Sequence, residues 1–397
     1  MPDSPRAGEH ASPAPVVTGT PGSFAHGVLT ERHPALIERV RSATAYGAEQ
    51  LRGLDALLAE VTEDVLRPLP EGEPHAEPWL EWGRPHWGGS WLAAPFLWAE
   101  SYFYRRLLAA LGYFRPGPWR GVDPFEPFKT ADLTGEGVTE ELASLDALDG
   151  MPPAERDTAV LHASLWGNRA DLGFRLSVGD EGLGAKVPGL IADDAAEFWS
   201  ALDRRPGGAV HLVADNAGPE LLPDLVLADH LLAGGRAGRV TLHVKPYPYF
   251  VSDATPADAL ACLRRMAAAP GARARATADR LRSAVGDGRL RLLAHPFAVA
   301  PYGYAEAPDE LRAEWGGAAL TVMKGDLNYR RLVGDRHWPA DLPFREATAY
   351  FPGPVAALRT CKSDVVTGIT ATDLTRLDAV EPGWRTAGTH ALVQVRG

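Results

Sequence analysis

The sequence predicts an α/β protein: a Rossmann-like three-layer α-β-α sandwich carrying an N-terminal helical unit. Three observations lead there. The first third of the chain repeats apolar residues at three- and four-residue steps. After about Gly207, short apolar runs alternate with helical stretches across Gly-, Pro- and Asp-containing turns. The length of 397 residues exceeds what one core usually organises, which favours two units.

In chain order, residues 1–25 are rich in Pro, Ser and Gly and read as a flexible tail without the apolar run of a secretory signal. Residues 26–150 form the helical unit. Leu36, Ile37 and Val40, then Leu51, Leu54, Leu57, Leu58 and Val61, mark its first helices, with Pro34 placed for a helix start. Trp79, Trp82, Trp87, Trp91 and Trp98 interrupt the pattern and read as packing residues, before residues 103–111 resume it. Residues 151–397 form the α/β core. Its run at 209–214 sits between Gly207-Gly208 and Asp215-Asn216, the pattern of a buried parallel strand followed by a helix over 219–232. Further strands are expected at 240–244, 290–294, 319–323, 355–360 and 391–395, with a helix at 256–268.

Composition narrows the function. Hydrophobic residues make up 45% and charged residues 23%, an ordinary globular balance, and no stretch reaches the roughly 20 apolar residues of a membrane span. A net charge of -11 without a basic stripe excludes a nucleic-acid partner. Two cysteines, Cys262 and Cys361, are too few for a disulfide framework or a thiolate zinc site, so a cytoplasmic enzyme is expected. The chain uses few lysines, and Lys324 and Lys362 both follow strand ends, where a compact ammonium could meet an anionic substrate.

Ligands of open parallel sheets bind beyond the carboxyl ends of the strands. Asp215 and Asn216 fall at one such end and Asp253 follows the next strand. Two carboxylates and an amide carbonyl are hard oxygen donors suited to a six-coordinate divalent cation. Asp and Asn after a strand also cap helices, and for any one of the three that is the plainer reading. Three at successive strand ends, with Gly218 expected to allow close backbone approach, point to a site. Lys324-Gly325-Asp326-Leu327-Asn328-Tyr329-Arg330 lies on the same rim: Lys324 and Arg330 could neutralise phosphate, and Asp326 and Asn328 could bind sugar hydroxyls. Lys362 closes the strand at 355–360. Asn168 and Asp171 stand about one helical turn apart; Asn168 is a candidate substrate contact, or part of a network joining the two units. Glu100 and Arg105 read as such a network.

Six segments in order carry a resemblance: Glu100 to Arg106, Ser164 to Asp171, Asp215 to Glu220, Phe250 to Asp253, Lys324 to Arg330, and Arg359-Thr360-Cys361-Lys362. Together they resemble the sugar-phosphate phosphatase branch of the damage-control phosphatases, a branch also described as acidic-residue methyltransferases, from about His26 to the C-terminus. The resemblance implies a helical unit on an α/β core and hydrolysis supported by Mn²⁺, Co²⁺, Ni²⁺ or Mg²⁺. It places the metal on Asp215, Asn216 and Asp253. It places substrate contacts on Asp326, Leu327, Asn328, Tyr329, Arg330 and Lys362. Pro219 and the extra proline in Lys245-Pro246-Tyr247-Pro248-Tyr249 depart from the family pattern near the site. The expected reaction is hydrolysis of a small phosphomonoester, a sugar phosphate or a phosphorylated pathway intermediate. Asp215, Asp253 and Lys362 would be its catalytic residues, and the nucleophile either water or one of the aspartates. The alternatives are carboxyl methyl transfer from S-adenosylmethionine and a non-hydrolytic member of the family.

Overall fold

Alternation of buried apolar side chains along the strands puts the sheet at the centre of the molecule. The computed structural model describes residues 13–167 and 189–397. Seven strands, β1 (Leu190–Asp193), β2 (Gly208–Val213), β3 (Ala237–His243), β4 (Leu290–Leu293), β5 (Leu320–Lys324), β6 (Val355–Thr360) and β7 (Ala391–Arg396), form one sheet. Their spatial order is β1-β7-β6-β5-β2-β3-β4. On β6, Val355 and Ala357 enter one apolar cluster while Ala356 and Leu358 enter the other, the period-2 signature of a sheet covered on both faces.

Six of the strands coincide with the expected runs. The departures are at one edge. β7 pairs antiparallel with β6, and β1 pairs parallel with β7, so this edge runs opposite to the parallel β6-β5-β2-β3-β4 block. β1 itself was not expected. It has only four residues, none buried, and so lacks the apolar run by which the others are recognised.

Each face is covered by helices for which the sequence has a start and a stop. The helix Phe96–Leu111 begins after Pro95 and ends at Gly112, whose φ of 77° suits a left-handed C-cap. It therefore starts a full two turns before residue 103. With the helices His33–Ala43 and Ala48–Thr62 it packs on the face that receives Val213, Met323 and Ala357. Tyr102 gathers Trp79, Trp91 and Trp98 at ring-centroid distances of 5.8, 5.8 and 4.9 Å. Each such burial removes enough apolar surface to contribute about 2 kcal/mol or more. The opposite face carries the helices Pro153–Trp166, Leu221–Ala233, Pro256–Ala267 and Ala272–Gly286. Within the segment expected to be a tail, Val16 and Thr18 are buried, and Pro15 and Val17 bridge to Arg336 and Pro95.

Ion pairs tie distant segments together. Arg330 is held by Glu100 (2.8 Å) and by both oxygens of Asp335, and its guanidinium lies 4.2 Å over the Phe96 ring. Arg105 pairs with Glu73 at 3.0 Å. Burial pushes the Glu100 carboxyl up to about 7 against the opposing pull of Arg330. No helix among the described residues is long and apolar enough to cross a membrane.

Candidate active site

Strand register builds the site. Val213 of β2 pairs with His243 of β3 and with Met323 of β5. Two residues further along each chain stand Asp215, Lys245 and Gly325, side by side beyond the carboxyl ends of the three strands. Gly325 takes φ 77°, and a Cβ there would fall 1.9 Å from Asp215 Oδ2. Only glycine leaves that carboxylate its place. The close approach expected at Gly218 is therefore at Gly325 instead. Gly218 needs its φ of 68°, but a Cβ there would meet nothing nearer than 3.9 Å.

Asp253 reaches the row through a strained loop. Phe250 and Val251 adopt φ of 47° and 61° in succession, a left-handed conformation costing about 1–2 kcal/mol per L-residue and rare for a β-branched one. Packing holds it. Phe250 stacks on Tyr104 at 4.8 Å, and Tyr249 donates to Ser101 Oγ at 2.6 Å. Ala217 N donates to Ser252 O, Ala254 N to Asp215 O and Lys245 N to Ala254 O, so the Asp253 loop is laced between the turns after β2 and β3. Thr255 and Asp258 then form a capping box for the helix Pro256–Ala267. Buried Lys129 locks this corner by donating to Asp123, Asp258 and Asp253 O.

The three expected metal ligands are thus brought together. Asn216 and Asp253 form an isolated bridge, Asn216 Oδ1 accepts from Ser252 Oγ (2.7 Å), and Asn216 Nδ2 donates to Glu220 Oε2 (2.8 Å). Burial and the neighbouring carboxylates Glu220 and Asp253 hold the Asp215 carboxyl well above its usual range, with Lys362 and Lys245 opposing. Burial likewise raises Asp253 to about 6, with Lys245 the main counterweight. Asp253 Oδ2 is buried and accepts no hydrogen bond; Lys245 Nζ lies 3.3 Å away. Among the described residues no group of three or more His, Cys, Asp and Glu side chains is arranged as a ready metal cage. The donor set here is two carboxylates and an amide. Its crowded negative charge, only partly offset by Lys245, fits a divalent cation, which would relieve it.

The other candidates are distributed differently. Lys324 does not reach the rim: its ammonium, about 1% exposed, pairs with Asp224 Oδ1 at 2.9 Å and donates to Ser164 O. Arg330 is consumed by Glu100 and Asp335, and Asn328 by the carbonyls of Ala214 and Lys324 and the Tyr304 hydroxyl. Leu327 is buried, and Tyr329 shares its hydroxyl with Thr367 and Gln394. Asp326 takes Arg359 Nη2 at 2.7 Å and the Lys362 amide at 3.1 Å. Arg359 outweighs the effect of burial and holds the carboxyl below its usual value. Asp326 therefore fixes the segment from which exposed Lys362 extends. The helix Gly325–Val333 starts here with no side-chain cap, leaving first-turn N–H groups for an anion. Asn168 and Asp171 lie outside the described residues.

Residues 28–376 match the model of the damage-control phosphatase ARMT1-like domain. The chain belongs to this family. It is similar to damage-control phosphatase ARMT1 of Danio rerio, 32% identical over 77% of this chain and 74% of that one. Its similarity to damage-control phosphatase ARMT1 of Mus musculus is 29% identity over 97% of this chain and 99% of that one. A crystal structure of a DUF89 family protein from Pyrococcus horikoshii matches with TM-score 0.49 and 14% identity, over 88% and 94% of the two chains. Membership in the damage-control phosphatase family supports a metal-dependent phosphatase in general and dependence on a divalent cation.

Within this family member, two residues of the site were not singled out as site residues from sequence. Glu220 faces Asp215 and Asn216, and Lys245 faces Asp253. Lys245 had a readable signal: it follows β3 at the same distance as Asp215 follows β2, in a chain that uses few lysines. Glu220 had a weaker one, four residues past Asn216 on a turn that becomes a helix.

Proposed function

We propose that the chain is a metal-dependent phosphomonoester hydrolase acting on a small sugar phosphate or a phosphorylated pathway intermediate. The observation that carries this reading is the convergence of Asp215, Asn216 and Asp253 at the ends of β2 and β3, opposite an uncapped helix N-terminus and Lys362. Mn²⁺, Co²⁺, Ni²⁺ or Mg²⁺ would be held by those three residues and would supply charge neutralisation for the phosphoryl group. Lys245 keeps the Asp253 carboxylate oriented and Glu220 holds the Asn216 amide. The first-turn N–H groups after Lys324 receive phosphate oxygens, and Lys362, on a flexible exposed stem, closes over them as a point charge. Lys324 and Arg330 act from behind, keeping the turn and its helix in place through Asp224, Glu100 and Asp335. A phosphoryl group bound this way presents one open face, and Asp215 or Asp253 can orient or deliver the attacking group there.

Carboxyl methyl transfer from S-adenosylmethionine is the competing activity. The turn Asp215-Asn216-Ala217-Gly218 has one glycine and two oxygen-rich side chains where a nucleotide-type cofactor turn is glycine-rich, which favours hydrolysis. The test is a panel of sugar and nucleotide phosphates against each of the four metals, reading released phosphate. No release with any pair sinks the proposal, as would a folded Asp253→Ala variant with near-normal metal-dependent turnover.

A further inference from the structure

The loop that carries Asp253 is held from two sides. The turns after β2 and β3 hold it through backbone bonds, Ala254 N to Asp215 O and Lys245 N to Ala254 O. The helical unit holds it through three side chains. Ser101 Oγ accepts from the Tyr249 hydroxyl at 2.6 Å, Tyr104 stacks on Phe250 at 4.8 Å, and Lys129 Nζ donates to Asp253 O at 3.1 Å. Of these three side chains, only Lys129 grips Asp253 itself.

Lys129 belongs to the helix Glu126–Thr134 and is 6% exposed. An ammonium has three N–H groups, and this one meets three acceptors: Asp123 Oδ2 at 3.0 Å, Asp258 Oδ2 at 2.9 Å and Asp253 O. The two carboxylates already balance its charge, so the bond to Asp253 O serves to fix a place. Asp258 Oδ2 also accepts from Thr255 N and Thr255 Oγ1, at 2.9 and 2.7 Å, so the ammonium grips the loop on both sides of Ala254.

The same helix lies against the other half of the site. A Cβ on Gly218 would meet Lys129 O, Leu133 N and Asp132 Cβ first, each at 3.9 Å. Helix Glu126–Thr134 therefore backs the turn after Asp215-Asn216 as well as the residue that must be brought to them. The Asp253 loop needs such backing. Phe250 and Val251 lie at φ 47° and 61°, and relaxation of either to ordinary backbone would displace Asp253 just beyond them.

We infer that Lys129 is a positioning residue for the metal site: through Asp253 O it keeps the Asp253 carboxylate beside Asp215 and Asn216, so divalent-metal affinity depends on the helical unit. This role rests on the metal-site reading proposed above. Metal affinity is what a misplaced ligand loses, and a group that orients a ligand from behind typically carries about 10–100-fold of it. Charge alone has the opposite sign. Lys129 is a cation near a cation site, so removing it without moving Asp253 would leave Mn²⁺ bound as tightly as before or more tightly.

Calorimetry with Mn²⁺ on the full chain, read beside the melting temperature, tests this. Asp123→Asn weakens the buried ion pair but keeps the bond to Asp253 O, and should bind Mn²⁺ within about twofold of the parent chain. Asp123→Asn, Lys129→Met removes the grip as well and should bind Mn²⁺ about tenfold or more weakly than Asp123→Asn. Lys129→Arg keeps the charge balance, and with it the fold, but its planar fork cannot serve the same three acceptors. It should weaken Mn²⁺ in the same direction at a melting temperature near the parent's, and it decides alone if the double variant does not fold. Mn²⁺ affinity in the Lys129 variants equal to or above that of Asp123→Asn would overturn the role of Lys129, as would an equal loss in Asp123→Asn. No Mn²⁺ uptake by the parent chain would overturn the metal site itself, and this role with it.

Discussion

Replacing Gly325 by alanine puts one methyl group where the structure leaves no room for it. The new Cβ would stand 1.9 Å from Asp215 Oδ2 and 2.2 Å from its Cγ. That contact has to open by more than about 1 Å to reach ordinary van der Waals spacing. The φ of 77° adds about 1–2 kcal/mol of backbone strain for an L-residue. In a chain of this length each kcal/mol moves the melting temperature by only about 2 °C, so Gly325→Ala should still fold. The damage should instead appear at the carboxylate. Divalent-metal affinity by calorimetry is expected to fall by about 10–100-fold, and metal-dependent phosphate release by about 100-fold or more. A folded Gly325→Ala protein with wild-type metal affinity and turnover would refute the placement of Asp215 at the centre of the site.

Lys324→Met strands Asp224, a fully buried carboxylate whose pKa burial already lifts to about 6. Urea unfolding should show a loss of about 3–5 kcal/mol, and the double variant Lys324→Met, Asp224→Leu should recover most of it; equal stability of the single variant excludes the pair as a structural element. Lys362→Ala should leave stability within about 0.5 kcal/mol, because the side chain is exposed, yet raise KM for the phosphate ester about tenfold; unchanged kinetics would remove Lys362 from the substrate's surroundings. His33 is buried against Phe103 at 3.6 Å with neither ring nitrogen bonded, and burial lowers its pKa to about 3 from 6.5. The unfolded chain therefore binds a proton below pH 6.5 that the folded chain refuses. The contribution of His33 to stability is full above that pH and falls as pH drops, by about 2 kcal/mol between pH 7 and pH 5, while carboxyls raised in the folded chain, such as Glu100, contribute in the opposite direction. The change in unfolding free energy from pH 7 to pH 5, read by urea, should differ between His33→Leu and the parent chain by about 2 kcal/mol, in favour of the variant at pH 5; an identical change in both would contradict the account.

Much of the framework was legible because strands buried on both faces must be apolar along their whole length. The runs ending at Val213, Met323 and Thr360 could therefore be bounded to within a residue or two. Strand direction was not legible, since a period of two is the same read either way, and β7 could equally have been parallel. The candidate site was legible where its residues follow a strand end directly, as Asp215 and Asn216 do; Asp253 stands further on, past the loop after β3. It was obscured where charge is cancelled from far along the chain. Lys324 and Arg330 have the residue type and the position of phosphate binders, but Asp224 and Glu100, which absorb their charge, are reached only by folding. The inward turn of those two side chains has no local signal.

The shared register of β2, β3 and β5 also constrains how such a chain can vary. Lys245, Asp215 and Gly325 are neighbours because the two hydrogen-bonded ladders joining these three strands keep the same count. One residue inserted within β2 would turn Asp215 to the other face of the sheet and move the apolar Ala214 into its position. Length changes should therefore accumulate in the connections at the opposite ends of these strands, where Gly207 and Gly235 make the turns, while the strands themselves keep a fixed residue count.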